Sequence, residues 1–249
     1  MKPILFLLLS TPLFTLAQEK NNNHKDNLKG KVKKITETEY HFERKSGKIV
    51  KTLATTSIFK YDEKGREYEV IGYQGKSEFD FKLEYKLDEK GNRISSKEYS
   101  ENNQLEIKTV YKYDANGNQT EQADYTSWDS LVKKNVFKYD DKGNQIEYVA
   151  YDGNGQLEFK SLNKYDNAGN EIEEAYYNDK GIFDFKMAYT YDSKGNQHQL
   201  KHYKADGTND FNVLYKYEDY DSQGNWQKET TLEEDETTMI IERAIEYYN

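Results

Sequence analysis

The hexapeptide Tyr-Asp-x-x-Gly-Asn, intact or with one position changed, returns along this chain at a fixed interval, and that interval limits the fold more than any single residue does. Its aspartate stands at Asp62, Asp88, Asp114, Asp140, Asp166 and Asp192, each step being 26 residues, and a last step of 29 leads to Asp221. Its glycine keeps the same beat at Gly65, Gly91, Gly117, Gly143, Gly169, Gly195 and Gly224. A second marker runs in phase at Tyr73, Tyr99, Tyr125, Tyr151, Tyr177 and Tyr203. A chain that repeats at such a period builds one supersecondary unit many times over. The same regularity spreads any chemistry over equivalent positions instead of gathering it at one.

The unit is a β-hairpin. In Asp140-Asp141-Lys142-Gly143 the aspartate opens a type I turn and the glycine takes the fourth position, where a left-handed backbone is needed to rejoin the strands. A second turn of the same design follows the marker tyrosine, as in Asp152-Gly153-Asn154-Gly155, Asn178-Asp179-Lys180-Gly181 and Lys204-Ala205-Asp206-Gly207. Between turns the apolar residues alternate: Phe79, Phe81, Leu83, Tyr85 and Leu87 interleave with Asp80, Lys82, Glu84 and Lys86. That is the period of a half-buried antiparallel strand, and no window sustains helical spacing. The predicted fold is all-β, an antiparallel meander of 26-residue hairpins.

Residue counts between turns give the meander a shape. Arg66 to Tyr73 holds eight residues and Glu78 to Leu87 holds ten, so each hairpin advances about two residues on its predecessor. Stagger accumulating in one direction tilts a sheet by about 35 to 45 degrees and lets it roll up. We expect an open spiral or a flattened, barrel-like sheet.

Composition sets the remaining bounds. Leu, Ile, Val and Phe make up about one-fifth of the chain, a level that by itself suggests disorder. The 23 tyrosines supply the missing apolar area while their hydroxyls stay wet or hydrogen-bonded. The absence of cysteine excludes disulfides, thiol catalysis and a cysteine-linked lipid anchor. The formal charge of −9 argues against nucleic acid or an anionic membrane face as partner. Residues 1–17 begin with Lys2, continue with the interrupted apolar run Ile4 to Leu16 and end on Ala17, which predicts a secretory signal cleaved before Gln18, no membrane span once it is removed, and a periplasmic, cell-surface or extracellular address. Residues 18–27 read as a flexible lead-in. Residues 28–249 read as one domain: an N-terminal cap hairpin over 28–58 turned at Lys45-Ser46-Gly47-Lys48, repeats over 59–228, and a C-terminal cap over 229–249 with a last strand from Met239 to Tyr248.

Tyr113-Asp114-Ala115-Asn116-Gly117-Asn118, Tyr139-Asp140-Asp141-Lys142-Gly143-Asn144 and Tyr191-Asp192-Ser193-Lys194-Gly195-Asn196 resemble the YD repeats of RHS proteins, also present in teneurins. The resemblance covers about residues 59–228, and Tyr151-Asp152-Gly153-Asn154-Gly155-Gln156-Leu157 is also similar to MORN-like hairpins. It implies hairpin sheets that spiral into shells, and a carbohydrate-binding or cell-surface role. Seven copies are too few for a toxin-enclosing shell, and neither an effector domain nor an RHS core cassette is expected, so the resemblance points to a small stand-alone exported member.

Candidate chemistry is sparse. Calcium would need carboxylates at alternate turn positions, where Lys64, Lys90, Lys142 and Lys194 stand instead, so the turn aspartates are assigned to turn formation and no metal or cofactor is expected. His198 and His202, four apart on a strand, are too distant to share a zinc ion. A carboxylate pair for glycoside hydrolysis remains open, although Glu121, Glu147 and Glu173 are equivalent repeat positions on a solvated face and no acid shows an apolar setting that would tune it. Trp128, inside the turn Thr126-Ser127-Trp128-Asp129, is the candidate ligand contact, with packing over the adjacent turn as the alternative; Trp226 reads as packing. The function expected is non-enzymatic binding or scaffolding with a glycan or protein partner. The alternatives are a polysaccharide hydrolase and a component of an RHS-type toxin or immunity system.

Overall fold

The computed structural model describes residues 28–45 and 48–249, so the expected signal segment, the lead-in and the Ser46-Gly47 turn lie outside the described residues. Sixteen antiparallel strands follow one another: β1 Val32–Lys45, β2 Lys48–Tyr61, β3 Glu67–Gln74, β4 Glu78–Leu87, β5 Arg93–Tyr99, β6 Leu105–Tyr113, β7 Gln119–Thr126 and β8 Leu131–Tyr139. The second half is β9 Gln145–Asp152, β10 Leu157–Tyr165, β11 Glu171–Tyr177, β12 Phe183–Tyr191, β13 Gln197–Lys204, β14 Asn209–Glu218, β15 Lys228–Glu233 and β16 Glu236–Tyr247. Each pairs with its sequence neighbours, and β1 also pairs with β16, from Val32 opposite Tyr247 to His41 opposite Met239. The sheet is a closed barrel, which corrects the open spiral.

Turn chemistry accounts for the repeat. In Asp114-Ala115-Asn116-Gly117-Asn118, Asp114 Oδ1 accepts the amides of Asn116 and Asn118, each at 2.9 Å, while Asp114 Oδ2 accepts Asn118 Nδ2 at 2.9 Å. Gly117 sits at φ 85°, where a side chain would be strained. The motif tyrosine works sideways. Tyr165 Oη donates to the Gln145 carbonyl at 2.8 Å, as Tyr113 does to Arg93 and Tyr191 to Glu171, so these hairpins are bolted to their predecessors. Every letter of the hexapeptide thus has a local or lateral hydrogen-bonding task.

Closure follows from register. Stepping along paired residues from Lys34 through Lys60, Glu69, Glu84, Lys97, Lys108 and Tyr125 arrives at Leu131, so a path that begins at one rim has climbed to the other by β8. Such stagger corresponds to a strand tilt of about 40 degrees. At the usual strand spacing, sixteen tilted strands enclose a section about 30 Å across if round. The seam is sealed by Val32, Ile35 and Tyr61 packed with Leu28, Phe59, Ile245 and Tyr247. Asn225 ties the last turn to the first residues: its Oδ1 accepts Lys29 N at 2.7 Å and its Nδ2 donates to the Lys29 carbonyl at 2.8 Å.

Paired residues also fix the faces. Lys138, Glu147, Leu162, Ala175 and Lys186 lie opposite one another on the outer face. That face carries ion-pair ladders: Lys112 and Lys134 both reach Glu121 at 2.6 and 2.7 Å, Lys138 reaches Glu147 at 2.5 Å, and Lys164 and Lys186 reach Glu173 at 2.6 and 2.7 Å. The Lys164 side chain is 70% exposed. On the inner face stand Phe137, Tyr148, Ser161, Tyr176 and Phe185. Phe137 and Ser161 are buried there, while Tyr148, Tyr176 and Phe185 stay half-buried.

Candidate functional site

A ladder of rings climbs the inner wall. Phe137 stacks on Tyr148 with centroids 5.3 Å apart, Tyr148 meets Phe159 edge-on at 5.2 Å, and Phe159 leads to Tyr176 at 6.1 Å. Tyr176 stacks on Phe185 at 4.4 Å, Phe185 meets His202 at 4.9 Å, and His202 stacks on Phe211 at 4.7 Å. The seven rings come from β8 through β14 in order. The strand tilt makes the row diagonal, rising from near the turn after β8 to near the turn before β14. Polar side chains accompany it: Tyr148 Oη donates to Asn135 Oδ1 at 3.1 Å, and Ser161 and Asn163 are buried beside it.

Below the ladder lie two acids that the repeat does not call for. The residue after the motif's sixth position reads Glu67, Arg93, Gln119, Gln145, Glu171, Gln197 and Trp226, Glu67 being paired with Arg93, and in the five central copies the inner position three residues later reads Ser96, Gln122, Tyr148, Glu174 and Leu200. Glu171 lies opposite Tyr165, and Glu174 lies opposite the buried Asn163. Burial first, and the charge of Glu174 second, push the Glu171 carboxyl up to about 8. Its Oε1 is sealed from water without a hydrogen-bond partner. Glu174 Oε2 accepts the Tyr189 hydroxyl at 3.2 Å. The expectation that no acid has a tuning environment is therefore corrected. The signal was available in the sequence, where a glutamate replaces glutamine in one row and an uncharged residue in the next.

The other sequence candidates fall as follows. Glu121, Glu147 and Glu173 are on the outer face, each bonded to lysine. His202 stands in the ladder, its ring sandwiched between Phe185 and Phe211. Burial lowers its pKa against the opposing pull of Asp210. Turn aspartates such as Asp114 spend both carboxylate oxygens on turn donors, Asp221 gives its Oδ2 to the Tyr247 hydroxyl, and among the described residues no three His, Asp or Glu side chains gather to hold a metal ion. Trp128 is 84% exposed on the rim between β7 and β8, so it does not fold over a neighbouring turn. Trp226 is buried, with the Arg243 guanidinium 3.4 Å from its ring centre.

No protein-family model and no curated protein matches this chain. Among solved structures it is similar to a porin-like protein from Bacteroides uniformis, with a TM-score of 0.60 and 11% identity over 88% of this chain and 99% of the other. A TcdB2-TccC3 structure matches 74% of this chain and 12% of its own length at a TM-score of 0.36 and 13% identity. A DUF1329 family protein from Desulfovibrio piger matches at 0.30 and 9% identity, covering 87% of this chain and 86% of its own. The first likeness is one of fold: a closed antiparallel barrel.

Proposed function

We propose that this chain is an exported, non-enzymatic binding protein whose barrel stands in water and takes a glycan into its lumen. The aromatic ladder carries this reading. Rings held about 5 Å apart along a tilted row, flanked by Asn135, Ser161 and Asn163, set aromatic surface and hydrogen-bonding groups side by side, a combination that suits a chain of pyranose rings. The outer wall supports the aqueous half of the proposal. A lipid-facing barrel needs an outward apolar band about 25 Å tall, whereas Lys112, Lys138 and Lys164 project from this one beside paired glutamates. We assign the hairpins to the YD type on the strength of the Asp, Gly, Asn and Tyr roles described above. Trp128 would act as a contact at the rim.

A glycan array followed by titration calorimetry tests this. Binding should be found and should weaken at least tenfold in Phe159→Ala, with the circular dichroism spectrum unchanged; an array and a pull-down that both return nothing would remove the proposal. A second reading, a polysaccharide hydrolase, is favoured by the unequal carboxyls of Glu171 and Glu174, the pattern of an acid and its partner base. Release of new reducing ends from a bound glycan, lost in Glu171→Gln, would decide for it.

A further inference from the structure

Resting on the reading of the lumen as a binding cavity, we infer that the wall formed by Gln145, Tyr165, Glu171, Glu174 and Tyr189 is a subsite for a protonated primary amine. The argument begins with an imbalance of donors and acceptors. Gln145 is only 3% exposed, and its Oε1 has no hydrogen-bond partner. Glu171 Oε1, on the far side of Tyr165, has none either. Tyr165 joins the two positions, since its hydroxyl donates to the Gln145 carbonyl while its backbone faces Glu171. Glu174 adds a carboxylate hydrogen-bonded to the hydroxyls of Tyr189 and Tyr176. Buried acceptors are normally satisfied, and a site that collects unsatisfied ones is completed by a donor.

Charge narrows the donor to a cation. Among the described residues of β5 to β12, the inner face carries Glu98, Asp124, Asp152, Glu171 and Glu174, and its cations are Arg93, paired with Glu67 at 2.7 Å, and Lys133, paired with Glu158 at 3.4 Å. Burial, reinforced by Glu106 and Asp124, raises Glu98 as well, so the wall resists its own ionisation and would gain from a positive guest. Tyr165, opposite Glu171, and Tyr176 and Tyr189, both hydrogen-bonded to Glu174, stand next to the acids, and an ammonium group is attracted to aromatic rings. Buried acceptors without a partner on either side of Tyr165, an excess of carboxyls and neighbouring tyrosines together describe an ammonium site. The two acids interrupt rows that are otherwise uncharged at this level of the wall from β7 to β13, which places the site at one position of the array and not at all of them.

An ammonium guest can belong to an amino sugar within a glycan or to a free polyamine, and the test separates them. Glucosamine oligomer, its N-acetylated counterpart and spermidine are titrated into the purified protein under conditions where the amines are protonated. The glucosamine oligomer should bind at least tenfold more tightly than the acetylated one, and Glu171→Gln with Glu174→Gln should abolish the preference while neutral-glycan binding persists. Glu173→Gln, on the outer face of the same strand, should keep it. Spermidine binding with the same dependence on the two acids supports the amine subsite and names the free polyamine as its source. Equal affinity for both oligomers, a preference that survives the double variant, or amine release by cleavage would each overturn the inference. Loss of all glycan binding alongside retained, acid-dependent spermidine binding would instead overturn the glycan reading and leave the amine subsite standing.

Discussion

Replacing Glu171 with glutamine should make the protein more stable, and only on one side of a pH window. In the folded barrel this carboxyl is pushed from an ordinary 4.5 up to about 8, by burial and then by Glu174. The native state therefore holds a proton that the unfolded state has lost between those values. Stability must fall as pH rises through the window and level off above it. At about 1.4 kcal/mol per unit the whole shift amounts to about 5 kcal/mol. Partial exposure of the rest of the side chain reduces that, and about 2–4 kcal/mol is the expected cost of ionising it in place. Glutamine removes the titration at little structural cost, because Gln119, Gln145 and Gln197 already occupy the same position in neighbouring repeats. Urea unfolding at pH 4, 7 and 9 measures the difference between Glu171→Gln and the parent chain, which cancels contributions common to both. That difference should be near zero at pH 4 and favour the variant by about 2–4 kcal/mol at pH 9. Parallel stability curves would refute the buried, neutral carboxyl.

Tyr165→Phe removes one lateral bolt, the 2.8 Å bond to the Gln145 carbonyl, and should lower stability by about 1 kcal/mol in the same unfolding assay. Gly153→Ala should be far worse than Gly117→Ala, since a Cβ at Gly153 would come within 2.3 Å of the Leu131 carbonyl oxygen, whereas one at Gly117 meets open space and suffers only its φ of 85°. Thermal melts should rank them in that order, with Gly117→Asn milder than Gly117→Ala. The aspartates Asp88, Asp114, Asp140, Asp166 and Asp192 all titrate below the usual value through hydrogen bonds to their own turns, working against desolvation. Their contribution is present above the ordinary aspartate pKa and lost as pH falls through the lowered ones, so acid unfolding should begin below about pH 4 and shift to higher pH in Asp140→Asn. Trp128→Ala should leave the melting temperature unchanged, given its exposure of 84%, while reducing affinity for any ligand that enters past that rim.

The hairpins were legible in the sequence because their determinants are local. Asp114, Gly117 and Asn118 satisfy one another within five residues, so no distant part of the chain has to be known to read them. Closure was not legible, because it depends on register at every strand pair, and the pairing steps by one residue next to most turns, as between Lys112 and Tyr113 and again between Asp124 and Tyr125. Small offsets of this kind sum around the sheet and decide between a spiral and a ring. Trp226 was read correctly as packing, yet its Arg243 partner on β16 could not be foreseen from spacing. Glu171 was overlooked for a different reason. In a chain with 45 acids it sits two residues from Glu173, and only the face of the strand separates a solvated ion-pair partner from a buried, proton-holding one.

Inside-out polarity is the physical difference that matters most for this barrel. A sixteen-stranded wall in lipid must be apolar outside and can be wet inside. Here the lysine and glutamate ladders lie outside and the rings inside, so the apolar area that would anchor a porin has been turned toward the lumen. Most rings of the ladder are half-buried, so part of their apolar surface still faces water. Keeping such surface in contact with water costs free energy that a smaller, filled barrel would recover. The arrangement makes physical sense if something occupies the lumen, and the departures of Glu171 and Glu174 from their rows mark where that occupant meets charge.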